Sequence, residues 1–308
     1  MTRLSSSANT VDKKAGLNPS HRLIVCDLDG TLISRDHKLN TADIDALAKA
    51  REAGVTVSIC TGRSIGEAHD IIKPLNLSGP GVFITGAAIC DLASGATLHR
   101  QAIAPGVVRD LITFFGDLGH AVLLLVDTPE NPGPRYIMTK HGPIHAASEE
   151  WFLRNKMAAE IVDHPDDHTL SCVLRLGIVA DLPHSPAITA QLTQRFGSRI
   201  NFLALRAPAF ECHVIEVFAQ DVDKWTGIQR LCALLNIDSS LAVPIGDDVN
   251  DLPMLRHATL SFAMGNAAPE IQRAAKHVTR SQSQAGVAAA VEAVLAGKLR
   301  HERGPVHL

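Results

Sequence analysis

The chain has no excess of either charge. Lys+Arg 29 against Asp+Glu 32 leaves a net charge of -3 over 308 residues, so no whole-molecule field argues for nucleic acid or an anionic membrane. No basic stripe offers a nucleic-acid footprint either. Apolar runs of membrane-spanning length are missing, and the polar, Ser-rich first twenty residues lack the apolar stretch of a secretory signal. Residues 1–20 are therefore expected to be a disordered tail and 298–308 a flexible one. There is no Cys-x-x-Cys pair: the cysteines at 26, 60, 90, 172, 212 and 232 stand far apart, several inside apolar runs. They read as buried free thiols of a reducing cytoplasm. Fifteen histidines include His164 and His168, and His141 with His145, but Pro and Gly make these stretches loops. Nothing completes a four-ligand set, so zinc is not expected. No internal repeat is visible, and no protein partner is expected.

What is present is enough apolar material for real cores, 46% of residues, in a chain long enough for two domains or for one with a large insertion. Leu23 to Cys26, a helix over Thr41 to Glu52, Val55 to Cys60 and a helix from Ser64 to Pro74 alternate as βαβ units do in a parallel sheet. Gly54 is the favoured stop for the first helix. Val82 to Thr85 reads as a third strand. The middle differs: it has longer apolar runs at Ala121 to Val126 and Leu170 to Val179, a Pro/Gly-rich stretch at 129–134, and helices near 105–118 and 185–196. Parallel-sheet punctuation returns with His213 to Phe218, a helix over Asp223 to Leu235, Leu241 to Ile245, and Ala-rich helices near 267–275 and 285–296. The expected architecture is α/β: a Rossmann-like doubly wound parallel sheet over 21–90 and 206–297, interrupted by an inserted α+β cap domain over 91–205.

Four positions carry chemistry. Asp27-Leu28-Asp29-Gly30-Thr31 follows the first strand, and in an extended chain Asp27 and Asp29 point to one side before Gly30 turns the backbone. Paired carboxylates repel unless compensated. Mg²⁺ is the natural remedy, because it needs only one or two carboxylates and accepts phosphate oxygens; an Asp-Gly turn is the plain alternative. Thr61-Gly62-Arg63 sets a hydroxyl and amides at the carboxyl end of the second strand, where ligands bind in open α/β sheets. Lys224 opens a helix, where its ammonium and the helix's positive end can face an anion, though a solvated lysine is the default. Gly246-Asp247-Asp248-Val249-Asn250-Asp251 gathers four oxygen-bearing side chains at another strand end, more than a helix cap needs.

In this order the motifs resemble the haloacid dehalogenase-like hydrolases, and within them the Cof-type sugar phosphatases. Asp27 to Leu32 running on to Asp36-His37-Lys38-Leu39 looks like the first motif and its loop. Thr61 to Arg63 looks like the second, Lys224 the third, and Gly246 to Asp251 the fourth. Ala263-Met264-Gly265-Asn266-Ala267 matches a further signature. Two departures stand out: Trp225 follows the motif lysine where Gly is usual, narrowing the phosphate end or offering substrate an aromatic face, and Thr85-Gly86-Ala87 replaces Asn-Gly-Ala.

The resemblance implies a cytoplasmic, Mg²⁺-dependent phosphatase of a small phosphorylated metabolite, a sugar phosphate by inheritance. Asp27 is then the nucleophile forming an aspartyl-phosphate, and Asp29 protonates the leaving group and activates water. Asp27, the Asp29 carbonyl and Asp247 hold the metal, with Asp251 either binding it directly or standing one layer behind, while Thr61, Gly62, Lys224 and Asn250 bind phosphate. Arg63 either contacts phosphate or pairs with a neighbouring acid. A metal-free dehalogenase does not need Asp29; a phosphomutase, or a catalytically inactive phosphosugar-binding regulator, shares the same residues.

Overall fold

The structure, a computed structural model, describes residues 23–34, 36–207 and 210–297, with the backbone of 306–307. The expected tails lie outside these residues, apart from that last pair. The chain opens with β1 (Leu23–Cys26), α1 (Thr41–Glu52), β2 (Thr56–Ile59) and α2 (Ile65–Ile72), then β3 (Pro80–Phe83), β4 (Ala88–Asp91) and β5 (Thr97–Arg100). An insertion follows with α3 (Pro105–Asp117), β6 (Leu123–Val126), β7 (Arg135–Thr139), α4 (Ala146–Arg154), β8 (Ala159–Val162), α5 (Asp167–Ser171), β9 (Val173–Asp181), α6 (Ser185–Phe196), β10 (Ile200–Ala207) and β11 (Cys212–Ala219). The return comprises α7 (Lys224–Leu235), β12 (Ala242–Gly246), α8 (Leu252–His257), β13 (Phe262–Ala263), α9 (Pro269–Ala274), β14 (His277–Val278), α10 (Gly286–Ala296) and β15 (Val306–His307).

The first sheet runs β15-β14-β13-β12-β1-β2, with every pair parallel. Its period-2 alternation explains why helices cover both faces. Ile24 and Cys26 pack in one cluster with Leu47 and Ala50 of α1 and Val287 and Val291 of α10. Leu23 and Val25 pack in the other with Ile228 and Leu231 of α7 and Met254 and Leu255 of α8. A strand buried on both faces is apolar throughout, as β1 is, and each such side chain contributes about 1.5–3 kcal/mol. Local signals agree: Asn40 caps α1, Gly54 follows it at φ 85, and Ser64 with Glu67 forms a capping box on α2. This is the doubly wound core expected, with a cap inserted into it.

Three expectations change. His213 to Phe218 does not resume the parallel core: β11 lies between β10 and β9, antiparallel to both, in a second sheet ordered β10-β11-β9-β6-β7-β8. The second sheet therefore extends through Ala219. An apolar, β-branched run states that a strand is buried but not which way its neighbours run. The strand expected at Val82 to Thr85 is β3, antiparallel in a three-stranded sheet with β4 and β5, and joined to the core by the Cys60–Val82 bridge. The run Leu170 to Val179 divides, with Leu170 and Ser171 ending α5, which Asp166 caps, before β9 begins. Among the described residues no helix is long and apolar enough to cross a membrane.

Candidate active site

Because β12, β1 and β2 are neighbours, their carboxyl ends bring three of the four predicted positions to one edge of the sheet. Asp27 is anchored there by its own N–H, which donates to the Ile245 carbonyl at 2.9 Å. The chain curls at once, since the Leu28 carbonyl accepts from the N–H groups of Leu32 and Ile33, both at 2.9 Å. The extended geometry expected to carry Asp29 beside Asp27 is not kept. Asp27 is buried, whereas the Asp29 side chain is 53% exposed.

The fourth position arrives from α7. Asp223 caps that helix through Thr226 N–H and sets Lys224 at its first residue. Far from being solvated, Lys224 is fully buried, and its ammonium donates to Asp27 Oδ1 at 2.6 Å and to Asp251 Oδ1 at 2.5 Å. Burial disfavours the ammonium, but the charges of Asp251 and Asp27 outweigh it and hold Lys224 above its ordinary range. Burial drives the Asp27 carboxyl well above its ordinary range; Lys224 opposes the rise while Asp251 and Asp247 add to it. One ammonium faces three acids, so the site retains a strong affinity for further positive charge.

Asp251 holds the frame. Its Oδ1 takes the lysine and its Oδ2 accepts the N–H groups of Asp247 at 2.8 Å and Asp248 at 3.0 Å. Asp247 accepts from Thr31 Oγ1 at 2.9 Å and from Asn266 Nδ2 at 3.2 Å. Burial and the Asp251 charge push Asp247 up to about 7, against the Thr31 hydrogen bond. Gly30, at φ 80, has to be glycine, since a Cβ there meets the Asp247 carboxylate. Carboxylate oxygens of Asp27, Asp247 and Asp251 lie within 4.8 Å of one another. Hard oxygen donors carrying an uncompensated negative charge fit Mg²⁺. The Asp29 carboxylate stands outside this group.

Asp29 belongs instead to Arg63, which donates to it through Nε at 2.7 Å and through a guanidinium NH₂ at 2.6 Å. Burial works to raise the Asp29 carboxyl, but these bonds and the Arg63 charge hold it below its usual range. Thr61 is buried at the end of β2, its Oγ1 accepting from Arg63 N–H at 3.2 Å. A Cβ on Gly62 lies 3.5 Å from Thr85 Oγ1 and 3.6 Å from Asn250 Nδ2, so these residues form one wall. Among the described residues, Thr85 Oγ1 and Asn250 Oδ1 are buried without hydrogen-bond partners. Such groups are costly unless a ligand completes them.

Some contributors had no role assigned from sequence. Asn266 binds Asp247 and the Gly30 carbonyl, and accepts from Gln282 N–H; its signature segment was visible but its task was not. Arg175 of β9 donates to the Gly62 carbonyl at 3.1 Å and pairs with Glu216 of β11 at 2.9 Å, tying insertion to core. A lone charge within the run Val173-Leu174-Arg175-Leu176 is the signal that could have found it. Trp225 offers no face to substrate: it stacks on His257 with centroids 6.3 Å apart and packs against the second core cluster. Adjacent helix residues project about 100° apart, so Lys224 and Trp225 serve different sides.

Comparison with known proteins places the chain among related sequences and folds. The family model of haloacid dehalogenase-like hydrolases matches residues 24–291. A Bacillus subtilis (strain 168) relative is 26% identical over 285 residues, 90% of this chain and 100% of its own. The HMP-PP phosphatase of Yersinia pestis is 25% identical over 257 residues, covering 82% of this chain and 87% of that one. The Bacteroides thetaiotaomicron phosphatase BT1666 superposes with a TM-score of 0.71 at 22% identity, over 94% of this chain and 99% of the other. The sugar phosphatase BT4131 gives 0.70 at 20% identity, over 88% and 98%. The chain belongs to the haloacid dehalogenase-like hydrolases of the Cof type, and it is a phosphatase.

Proposed function

We propose that the protein hydrolyses the phosphate monoester of a small metabolite, depends on Mg²⁺, and works through a phosphorylated Asp27. The observation that carries this reading is the buried Lys224, held between Asp27 and Asp251 with Asp247 beside them. The Asp27 carboxylate attacks phosphorus in line, and the bond to the leaving oxygen breaks as Asp29 gives that oxygen its proton. Asp29, now ionised, takes a proton from water. The water oxygen attacks phosphorus, expels the Asp27 carboxylate and releases inorganic phosphate. Lys224, Thr61, the Gly62 loop and Asn250 bind the non-bridging oxygens. Asp27, Asp247 and the Asp29 carbonyl would hold Mg²⁺, with Asp251 bracing the site, and the ion would supply charge that offsets repulsion between nucleophile and phosphate.

Asp29 must leave Arg63 to act as an acid, so substrate arrival and release of that pair belong together. Substrate recognition falls to the insertion, with its boundaries moved to 91–219, flanked by core segments 21–90 and 220–297. The six cysteines are all free thiols, which supports a reducing, cytoplasmic setting. The test is release of phosphate from acetyl phosphate with and without Mg²⁺, in wild type and Asp27→Asn. Turnover that is metal-dependent and lost in the variant is expected, with phosphate trapped on Asp27 after acid quench. Equal turnover in Asp27→Asn sinks the mechanism.

A further inference from the structure

The turn Thr61-Gly62-Arg63 after β2 has three carbonyl groups, and the core itself holds two of them. The Thr61 carbonyl accepts from Thr85 N–H at 3.0 Å and the Arg63 carbonyl from Ile84 N–H at 2.9 Å, both donors lying in the turn after β3. The Gly62 carbonyl is held from outside the core. Arg175 of β9, in the insertion, donates to it through a guanidinium nitrogen at 3.1 Å. The same nitrogen is paired with Glu216 Oε1 of β11 at 2.9 Å, and both side chains are largely shielded from water.

The Gly62 carbonyl and the Arg63 N–H belong to one planar peptide unit. At the other end of that unit, Arg63 N–H donates to Thr61 Oγ1 at 3.2 Å. Arg175 and the Thr61 hydroxyl are therefore joined through a single peptide group. A carbonyl that accepts from a guanidinium polarises its own amide and makes the N–H a stronger donor. That N–H takes a lone pair of Thr61 Oγ1, so the hydroxyl proton has to point away from the turn. Among the described residues Thr61 Oγ1 makes no other hydrogen bond, and the residue is buried. Beside Gly62 stand Thr85 and Asn250, each with a buried oxygen that lacks a partner among the described residues. Gly62 brings no side chain to resist a flip of this peptide, so its orientation depends on what grips the two ends.

We infer that Arg175 is a positioning residue for phosphoryl transfer: through the Gly62–Arg63 peptide it aims the Thr61 hydroxyl at the phosphoryl oxygens. Because Arg175 belongs to the insertion, the phosphate-binding turn is fully set only while the insertion is seated on the core. Glu216 fixes the guanidinium and balances its charge, so Arg175 acts on the turn and not as an anion site of its own. The effect is independent of which leaving group the phosphate carries. The inference deepens the phosphatase reading and rests on it.

The experiment is a double-mutant cycle on kcat/KM for acetyl phosphate with Mg²⁺ present. Arg175→Met alone strands Glu216, so the change is made as Arg175→Met/Glu216→Gln and compared with Glu216→Gln. Against that reference, loss of Arg175 is expected to lower kcat/KM about tenfold, the worth of one charge-assisted hydrogen bond. Repeated in Thr61→Val, where there is no hydroxyl to aim, the same change should cost less than about twofold. Equal losses in the two backgrounds overturn the proposal, because a direct phosphate contact or a purely structural role acts whether or not Thr61 has its hydroxyl. If the paired variant does not fold, Arg175→Lys serves the same cycle: whatever it loses with Thr61 present should vanish in Thr61→Val. Calorimetric binding of inorganic phosphate with Mg²⁺ to the same four proteins is expected to weaken by a similar factor and with the same dependence on Thr61. If the wild type does not turn over acetyl phosphate, the phosphatase reading fails by itself and the phosphate-binding cycle decides the role of Arg175. A wild type that binds no phosphate either overturns both.

Discussion

The ammonium of Lys224 donates across 2.6 Å to Oδ1 of Asp27, with the lysine fully enclosed and the aspartate side chain 6% exposed. A lysine has three N–H donors, and Asp27 and Asp251 take two of them. One remains for a phosphoryl oxygen. Lys224→Met keeps the stem's volume and leaves two buried carboxylates facing each other without their cation. Loss of about 3–5 kcal/mol is expected in urea denaturation, because breaking a buried pair strands its partner. Adding Asp251→Asn should restore part of that stability without restoring turnover. If the double variant is no more stable than Lys224→Met, the stranded charge is not the cause.

Arg63 sets the proton chemistry of Asp29. With Arg63 in place the carboxyl is held below its usual range, so the ionised form persists to lower pH and the base in the second half-reaction is ready early. Arg63→Ala raises that carboxyl. The acid limb of the pH–rate profile, which reports the need for an ionised Asp29, should then move to higher pH. The limb set by loss of the acid's proton should move the same way. For stability the sign is the usual one for a lowered carboxyl: the pair helps above the unfolded carboxylate range, and that help is lost as pH falls through the folded value. An unmoved acid limb in Arg63→Ala would falsify this coupling.

How legible the site was in the sequence follows from what kind of information each residue needed. Asp27, Thr61, Asp247 and Asp251 were readable because their chemistry stands at strand ends, and the alternation of strands and helices placed those ends together. The burial of Lys224 was not. A lysine at the first residue of a helix looks the same whether water or two carboxylates surround it, and only the packing of α7 against β3 and the turn after it decides. The direction of β11 was hidden for a related reason, since its partners β9 and β10 approach it from elsewhere in the insertion.

The backbone at Thr85, in the segment that reads Thr85-Gly86-Ala87, shows why Asn would suit the place. Its φ is 56° and that of Ile84 is 52°, two consecutive β-branched residues in the left-handed region. The turn is held by Ile84 N–H to the Arg63 carbonyl at 2.9 Å and Thr85 N–H to the Thr61 carbonyl at 3.0 Å, so the strain is fastened to the Thr61–Arg63 turn. Asn tolerates this conformation better. Thr85→Asn is therefore expected to stabilise the protein by about 1 kcal/mol in chemical denaturation. Thr85→Val keeps the strain and deletes only the unpaired hydroxyl. Reduced turnover in the valine variant, without lost stability, would tie that hydroxyl to the substrate; loss of stability would give it a structural partner instead.

Another buried acid, Asp43, predicts a pH dependence of stability. Asp43, in the first turn of α1, is fully buried, and its Oδ1 accepts from Ala288 N–H at 2.7 Å. It caps α10, whose own preceding residue, Ala285, supplies no side-chain cap. The other oxygen, Oδ2, has no partner among the described residues. Burial raises this carboxyl to about 6, against the pull of the Ala288 hydrogen bond. The folded chain therefore holds a proton that the unfolded chain releases near pH 4. Between those values the native state binds more protons, so stability falls as pH rises from about 4 to about 6 and then levels. The loss is at most about 3 kcal/mol, from 1.4 kcal/mol per pKa unit. Asp43→Asn cannot ionise and retains an oxygen for Ala288. Its urea-denaturation stability, referred to wild type, should gain by up to that amount between pH 4 and pH 7, with little difference at pH 4. A constant difference across this range would mean that Asp43 is already ionised in the folded protein throughout.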